Sequence, residues 1–221
     1  MRKFVPAYEG NLRKHALSVP RCISECSGIR VFGRRIKSLV FSTDVAIIKN
    51  INADAIIAVY PFTPQPAITQ AIIGVSEVPV FCGVGGGLTN GVRSASMAAY
   101  VEHQGAYGVV CNSKIGVETI HAIKDAVEIP VVYTVISENT DIQPYLTAGV
   151  DIINVSGAAR TPEIVGTLRQ RYPELPIIAT GGPTEESILR TIRAGANAVT
   201  YTPPTNGALF AQIMEQHRKT L

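Results

Sequence analysis

Residues 175–201 read LPIIATGGPTEESILRTIRAGANAVTY. Pro176 ends whatever helix precedes it, the apolar run Ile177–Thr180 follows, and Gly181-Gly182-Pro183 breaks that run. A segment of helical length then closes at Ala194-Gly195-Ala196, and a second apolar run, Ala198–Tyr201, begins. A strand, a turn, a helix and a second strand in this order form a βαβ unit, whose two strands lie parallel.

The same grammar recurs outward along the chain. Three runs open with an apolar-Pro-apolar triplet: Val78-Pro79-Val80, Ile129-Pro130-Val131 and Leu175-Pro176-Ile177. The runs between them follow Gln104-Gly105-Ala106, Ala148-Gly149-Val150 and Ala194-Gly195-Ala196. Proline halts a helix before a strand, and glycine after a last helical turn takes the left-handed cap conformation. The strands expected on this basis are Ser38–Ser42, Ala55–Tyr60, Val80–Gly83, Gly108–Cys111, Val131–Val135, Ile152–Val155, Ile177–Thr180 and Ala198–Tyr201. A two-strand period repeated three times predicts an α/β fold with a single (β/α)8 TIM barrel over residues 37–221. An open doubly wound sheet is the alternative. Residues 1–36, broken by Pro6, Gly10, Pro20 and Gly28, form a short irregular N-terminal extension, expected to plug the barrel bottom or reach a neighbouring subunit.

A chain of 221 residues that is 46% hydrophobic can bury a barrel-sized core as one domain. Its net charge of +3 is spread along the sequence, with no basic stripe interleaved with aromatics, which argues against nucleic acid. Apolar runs such as Ala55–Val59 fall far short of the roughly 20 residues that cross a bilayer, so no membrane partner is expected. Met1-Arg2-Lys3 leads into no apolar signal region, and a cytoplasmic location is the expectation. Cys22, Cys26, Cys82 and Cys111 have neither the density of a disulfide scaffold nor paired metal-ligand spacing. They read as reduced thiols, and no metal site is expected from them.

In a barrel of this kind the chemistry sits where the strands end, so the residues after each strand are the candidates. Lys114, after the fourth strand, would be desolvated in an apolar mouth, which favours the neutral amine able to attack a carbonyl or take a proton; a solvated lysine at a helix start is the alternative. Asp44 and Glu138 are the candidate carboxylates for acid-base work or a divalent ion, although Asp44 also suits a helix cap. Five glycines between Gly83 and Gly91 predict either a mobile lid or a loop fixed by a ligand on its N–H groups, with Gly85, Gly86 and Asn112 as substrate contacts. Ser156 and Gly157 join that set, with Arg160 beyond them as an anion contact or a helix start. His103, His121 and His217 fall in expected helices and His15 in the extension, so none is expected to act in catalysis.

Consecutive glycines let a backbone approach an anion, and the following helix N-terminus adds attraction. The segment Ile177-Ile178-Ala179-Thr180-Gly181-Gly182, with Ala194-Gly195-Ala196-Asn197-Ala198-Val199, resembles strands 7 to 8 of ribulose-phosphate-binding barrels, which include aldolases, epimerases and thiamin-phosphate synthase. The resemblance implies a phosphate held by Thr180, Gly181 and Gly182, with Thr200 to Thr202 on its other side. Where those barrels carry a Gly-Ser pair this chain has Pro203-Pro204, and Gly207 is expected to take over part of that work. At the strand 6 position of the aldolases' Schiff-base lysine it has Asn154, Val155 and Ser156.

The function expected is that of a metabolic enzyme acting on a small phosphorylated metabolite by carbonyl chemistry, aldolase/lyase or epimerase in type. The alternatives are an FMN-dependent oxidoreductase, a hydrolase of unfamiliar mechanism and a non-catalytic phosphometabolite sensor. No cofactor is expected, with FMN or a divalent cation as the alternatives. A homo-oligomer is expected from the irregular arm and the Ala- and Ile-rich helices.

Overall fold

The computed structural model describes residues 4–8, 10 and 16–220. His15 and the Met1-Arg2-Lys3 start lie outside the described residues. After a 3-10 turn at Arg21–Glu25 the chain forms an antiparallel hairpin of β1 (Ile29–Val31) and β2 (Arg34–Ile36). Its two-residue turn has positive φ at both Phe32 (44°) and Gly33 (80°), the twist that suits a tight hairpin. Phe32 has a side chain and so bears strain there. Its ring packs edge-on against Tyr107 at 5.6 Å, and the Arg34 guanidinium lies 5.8 Å from the same ring.

Strands and helices then alternate. They run β3 (Ser38–Phe41), α1 (Val45–Lys49), β4 (Ala55–Ala58), α2 (Pro66–Val75), β5 (Val80–Gly85), α3 (Val92–His103), β6 (Gly108–Cys111) and α4 (Val117–Ala126). The second half runs β7 (Val131–Val135), α5 (Gln143–Thr147), β8 (Ile152–Val155), α6 (Thr161–Arg171), β9 (Ile177–Thr180), α7 (Glu185–Arg193), β10 (Ala198–Tyr201) and α8 (Asn206–Thr220). β3 to β10 pair in parallel with their sequence neighbours, and β10 pairs with β3, so the barrel is closed. This is the (β/α)8 barrel that the repeat predicts. β4 stops two residues early, ahead of the Tyr60-Pro61 turn, and β5 runs on to Gly85 through a bulge at Gly83/Gly85.

The barrel strands β3 to β10 are buried on both faces along most of their length, which is why their runs are mainly apolar rather than alternating. Inside the barrel, Leu39, Ile57, Phe81, Val110, Val132, Ile152, Ile178 and Ala198 form one core. Val31 and Ile36 of the hairpin join it, so the hairpin is built into the barrel interior. The alternate residues, among them Val40, Ile56, Cys82, Val109, Tyr133, Ile153 and Ala179, face the helices in a second core. Each fully buried Val, Leu or Ile contributes about 1.5–3 kcal/mol relative to exposure. A third cluster joins Ile23 and Cys26 of the N-terminal segment to Ile188 of α7 and Val199 of β10.

The sequence repeat has a structural cause at the helix-to-strand turns. Gly105, Gly149 and Gly195 all have left-handed φ, between 93° and 112°, as the cap reading requires. Beyond the cap, an Asp or Asn side chain accepts the first N–H of the preceding strand. Asp54 takes those of Lys37 and Ser38, Asp151 that of Val131, and Asn197 that of Ile177, all at 2.8–2.9 Å. Asn197 also accepts from Arg169 at 2.7 Å and donates to Ser27 at 2.9 Å, tying α6 and the N-terminal segment to the barrel.

Candidate active site

Side chains two residues beyond the interior core face inward again, because strand side chains alternate. In strand order these are Phe41, Val59, Gly83, Asn112, Thr134, Asn154, Thr180 and Thr200, and all eight line a cavity of about 640 Å³ at the C-terminal mouth. The ring is divided. Positions from β3 to β5 are apolar or small, whereas positions from β6 to β10 are hydroxyls and amides. Asn154 Nδ2 donates to Thr134 Oγ1 at 3.3 Å, and the Thr180 and Ser156 hydroxyls lie 3.5 Å apart. The buried Asn154 Oδ1 and Thr200 Oγ1 have no hydrogen-bond partner.

Lys114 is the one charged residue among those lining the cavity. It stands exposed in the turn Asn112–Ile115, so the desolvation expected from the sequence is not met. The turn itself is rigid. Ile115 N–H donates to Asn112 O at 3.0 Å, Ser113 N–H to Asn112 Oδ1 at 2.7 Å, and Asn112 N–H to Gly85 O at 2.9 Å. Tyr133 donates to Ser113 O at 3.3 Å and Tyr145 to Ile115 O at 3.1 Å, so the carbonyls on both sides of Lys114 are held. Burial pushes the Tyr133 phenol well above the usual tyrosine range, which keeps it a donor.

Asp44 and Glu138 stay off the cavity wall. Asp44 caps α1, accepting from Ala46 and Ile47 N–H at 2.9 and 3.2 Å, and its other oxygen accepts from Asn206 at 2.6 Å. Glu138 pairs with Arg160. Gly85 lies on the wall and Gly86 behind it, and both are held by close packing against Ser94 and the Asn112 backbone. A Cβ on Gly86 (φ 96°) would come within 2.5 Å of Asn112 O, and one on Gly85 would strike Ser94. Gly86 N–H donates to Thr89 O at 2.9 Å.

Thr180 and Thr202 reach the wall, but Gly181, Gly182 and Gly207 do not. Gly181 N–H donates to Thr200 O at 3.1 Å, so it is engaged in the barrel ladder. A Cβ on Gly181 would sit 2.6 Å from Val199 and 2.8 Å from Ile188, which supplies a packing reason for glycine there. Thr184 and Ser187 cap α7 reciprocally, and Glu185 and Glu186 already place negative charge in its first turn. Gly207 lies in the first turn of α8, where Thr205 caps Ala208 N–H at 3.1 Å. Ser156 lines the cavity, while Gly157 N–H donates to Thr161 Oγ1 at 3.0 Å behind it. His103 closes α3, and His121 and His217 lie in α4 and α8, all away from the mouth.

Three features were not read from the sequence: the tyrosine pair, the part that Thr134 and Asn154 take in the polar arc beside Thr200, and the apolar arc of Phe41 and Val59. Counting two residues on from each interior core position would have found both arcs. The tyrosines carry no local signal, since their partners lie 20 and 30 residues away.

No protein-family model matches the sequence, and no curated protein matches it. Solved structures share its fold. 2,3-Dimethylmalate lyase, a PEP mutase/isocitrate lyase superfamily member, superposes with a TM-score of 0.65 at 13% identity over 90% of this chain and 84% of that one. Phosphonopyruvate hydrolase, in complex with oxalate and Mg++, gives 0.62 at 17% over 89% and 83%. Phosphoenolpyruvate phosphomutase from Streptomyces platensis subsp. rosaceus gives 0.61 at 16% over 82% and 80%. At these identities the likeness establishes the barrel fold. None of the three is described as a ribulose-phosphate-binding barrel or as carrying FMN. The Mg++ of the hydrolase raises the question of a cation in this chain. A magnesium site relies on carboxylates, the wall here has none, and no cluster of three His, Cys, Asp or Glu occurs among the described residues. The residues present do not fit a divalent ion at this mouth.

Proposed function

We propose that the chain is a lyase-type metabolic enzyme that binds a small carbonyl-bearing anion, a phosphate or carboxylate, in the barrel mouth. The observation that carries this reading is Lys114: one cation, on a turn fixed from both sides, in a cavity wall without carboxylates. Such a wall favours an anion over a cation. The names of the barrels that share the fold, a lyase and a phosphomutase among them, support small acidic metabolites as the substrate class.

Lys114 holds the anion and stabilises negative charge developing on the carbonyl oxygen, and its fixed turn sets the backbone position from which the side chain reaches that charge. The hydroxyls of Ser156, Thr180 and Thr202 orient the substrate in place of the glycine N–H groups. Asp44 and Glu138, tied elsewhere, are given no catalytic part.

The test is a binding and turnover screen with oxalate, phosphonopyruvate, 2-hydroxy and 2-oxo dicarboxylates and sugar phosphates, for wild type and Lys114→Gln. The reading expects at least one anion to raise the melting temperature and be converted, with turnover falling on the order of 100-fold in the variant. Full turnover by Lys114→Gln would remove Lys114 from the chemistry.

A further inference from the structure

The division of the mouth into two arcs goes further than an anion site requires. Phe41 projects from β3, Val59 and Phe62 from the segment after β4, and Leu88 from the loop after β5, opposite the polar arc. Phe62 is 68% and Leu88 80% exposed, an arrangement that leaves large apolar surface in water unless something covers it.

This wall is built, not loose. Pro61, Pro64 and Pro66 flank Phe62, and the Tyr60 hydroxyl accepts Gln65 N–H at 2.8 Å across the base of that loop. Leu88 sits in the loop that Gly86 N–H closes on Thr89 O at 2.9 Å. Gly83, between the two loops, adds no side chain to the cavity. The remaining space, in a cavity of about 640 Å³, lies within the 300–1,000 Å³ range of pockets for ligands of drug size.

We infer that the substrate is amphipathic: an anionic carbonyl head on the Lys114 side and a hydrocarbon group, an alkyl chain or an aromatic ring, against Phe41, Val59, Phe62 and Leu88. The inference rests on the anion reading of the same mouth and narrows its substrate class. It separates this site from one shaped for a compact, fully polar acid.

Calorimetric titration with pyruvate, 2-oxobutanoate, 2-oxohexanoate and phenylpyruvate tests it, on wild type and on Phe62→Ser and Leu88→Ser. Both positions are exposed, so the variants keep the fold. In wild type the dissociation constant falls about fourfold per added methylene, and each variant flattens the series. Equal affinity along the series in wild type overturns the inference while leaving the anion site standing. A series that stays as steep in both variants removes the wall from recognition. Binding by none of the four acids overturns this inference, and the anion reading falls with it when oxalate, phosphonopyruvate and the sugar phosphates also fail to bind.

Discussion

The rings of Tyr133 and Tyr145 stack face to face, with centroids 4.0 Å apart and planes 10° from parallel, and their hydroxyls grip the two peptide carbonyls that flank Lys114. One ring comes from β7 and the other from α5, so the lysine turn is fastened to two elements of the barrel wall rather than to its own strand alone. Removing one hydroxyl frees one carbonyl and leaves the ring stack. Tyr145→Phe should cost about 1 kcal/mol in a urea titration. If the turn is positioned for chemistry, the same variant lowers kcat several-fold with KM little changed. An unchanged kcat would make the pair structural only.

The glycine loop should be intolerant of side chains. Gly85 and Gly86 have φ of 156° and 96°, and added Cβ atoms would meet Ser94 and the Asn112 backbone. Gly85→Ala and Gly86→Ala should each destabilise the fold by at least about 2 kcal/mol in chemical denaturation. Gly87, whose Cβ would meet nothing within 4 Å, is the control, and Gly87→Ala should be near neutral.

Asn197 joins β9, α6 and the N-terminal segment through five hydrogen bonds, counting its own carbonyl, which accepts from Gly28 N–H at 2.7 Å, and its own N–H, which donates to Ile177 O at 2.8 Å. Asn197→Ala leaves Ile177 N–H without its acceptor and should cost about 2 kcal/mol. Asn197→Asp, which keeps both acceptor positions, should recover most of it.

The thiols set an alkaline limit. Burial pushes Cys26 up to about 11 and Cys82 and Cys111 up to about 12, from an ordinary 9.0. A raised value means the folded state holds the proton more tightly than the unfolded chain. The stabilisation is therefore complete below pH 9 and is lost as pH climbs through 9 towards 11 and 12. Melting temperature should fall steadily over that window. Under native conditions a thiol reagent should modify half-buried Cys22 first, with the three buried thiols following only on unfolding.

A wall without carboxylates predicts indifference to divalent ions. Affinity for phosphonopyruvate or oxalate should change less than about twofold between EDTA and millimolar Mg2+, because the wall offers no charged ligand for the metal. A tenfold gain with Mg2+ would show that the mouth recruits a carboxylate from elsewhere.

Most of the barrel was legible because its signals are local. β6 to β10 match the expected ranges, since a proline or a Gly cap marks where each strand begins and the double burial of the strands keeps them apolar. The β1–β2 hairpin was not legible: its turn places Phe32 at positive φ, where sequence rules look for Gly or Asn, and a distant ring, Tyr107, packs on it. At the mouth, Lys114, Asn112, Gly85, Ser156, Thr180 and Thr202 could be placed on the wall from strand ends alone. The helix cap at Asp44 was one of its two readings, but the second oxygen's partner, Asn206, lies 162 residues away, and no spacing in the sequence encodes that contact.

The fixed state of the Gly83–Gly91 loop bears on rates. Where Gly85 and Gly86 are already packed before encounter, that part of the rim adds little ordering cost for the arriving molecule. Association should then follow diffusion and charge steering, slowing as solvent viscosity rises and as salt screens Lys114, and the same open rim should let product leave without waiting for a gate.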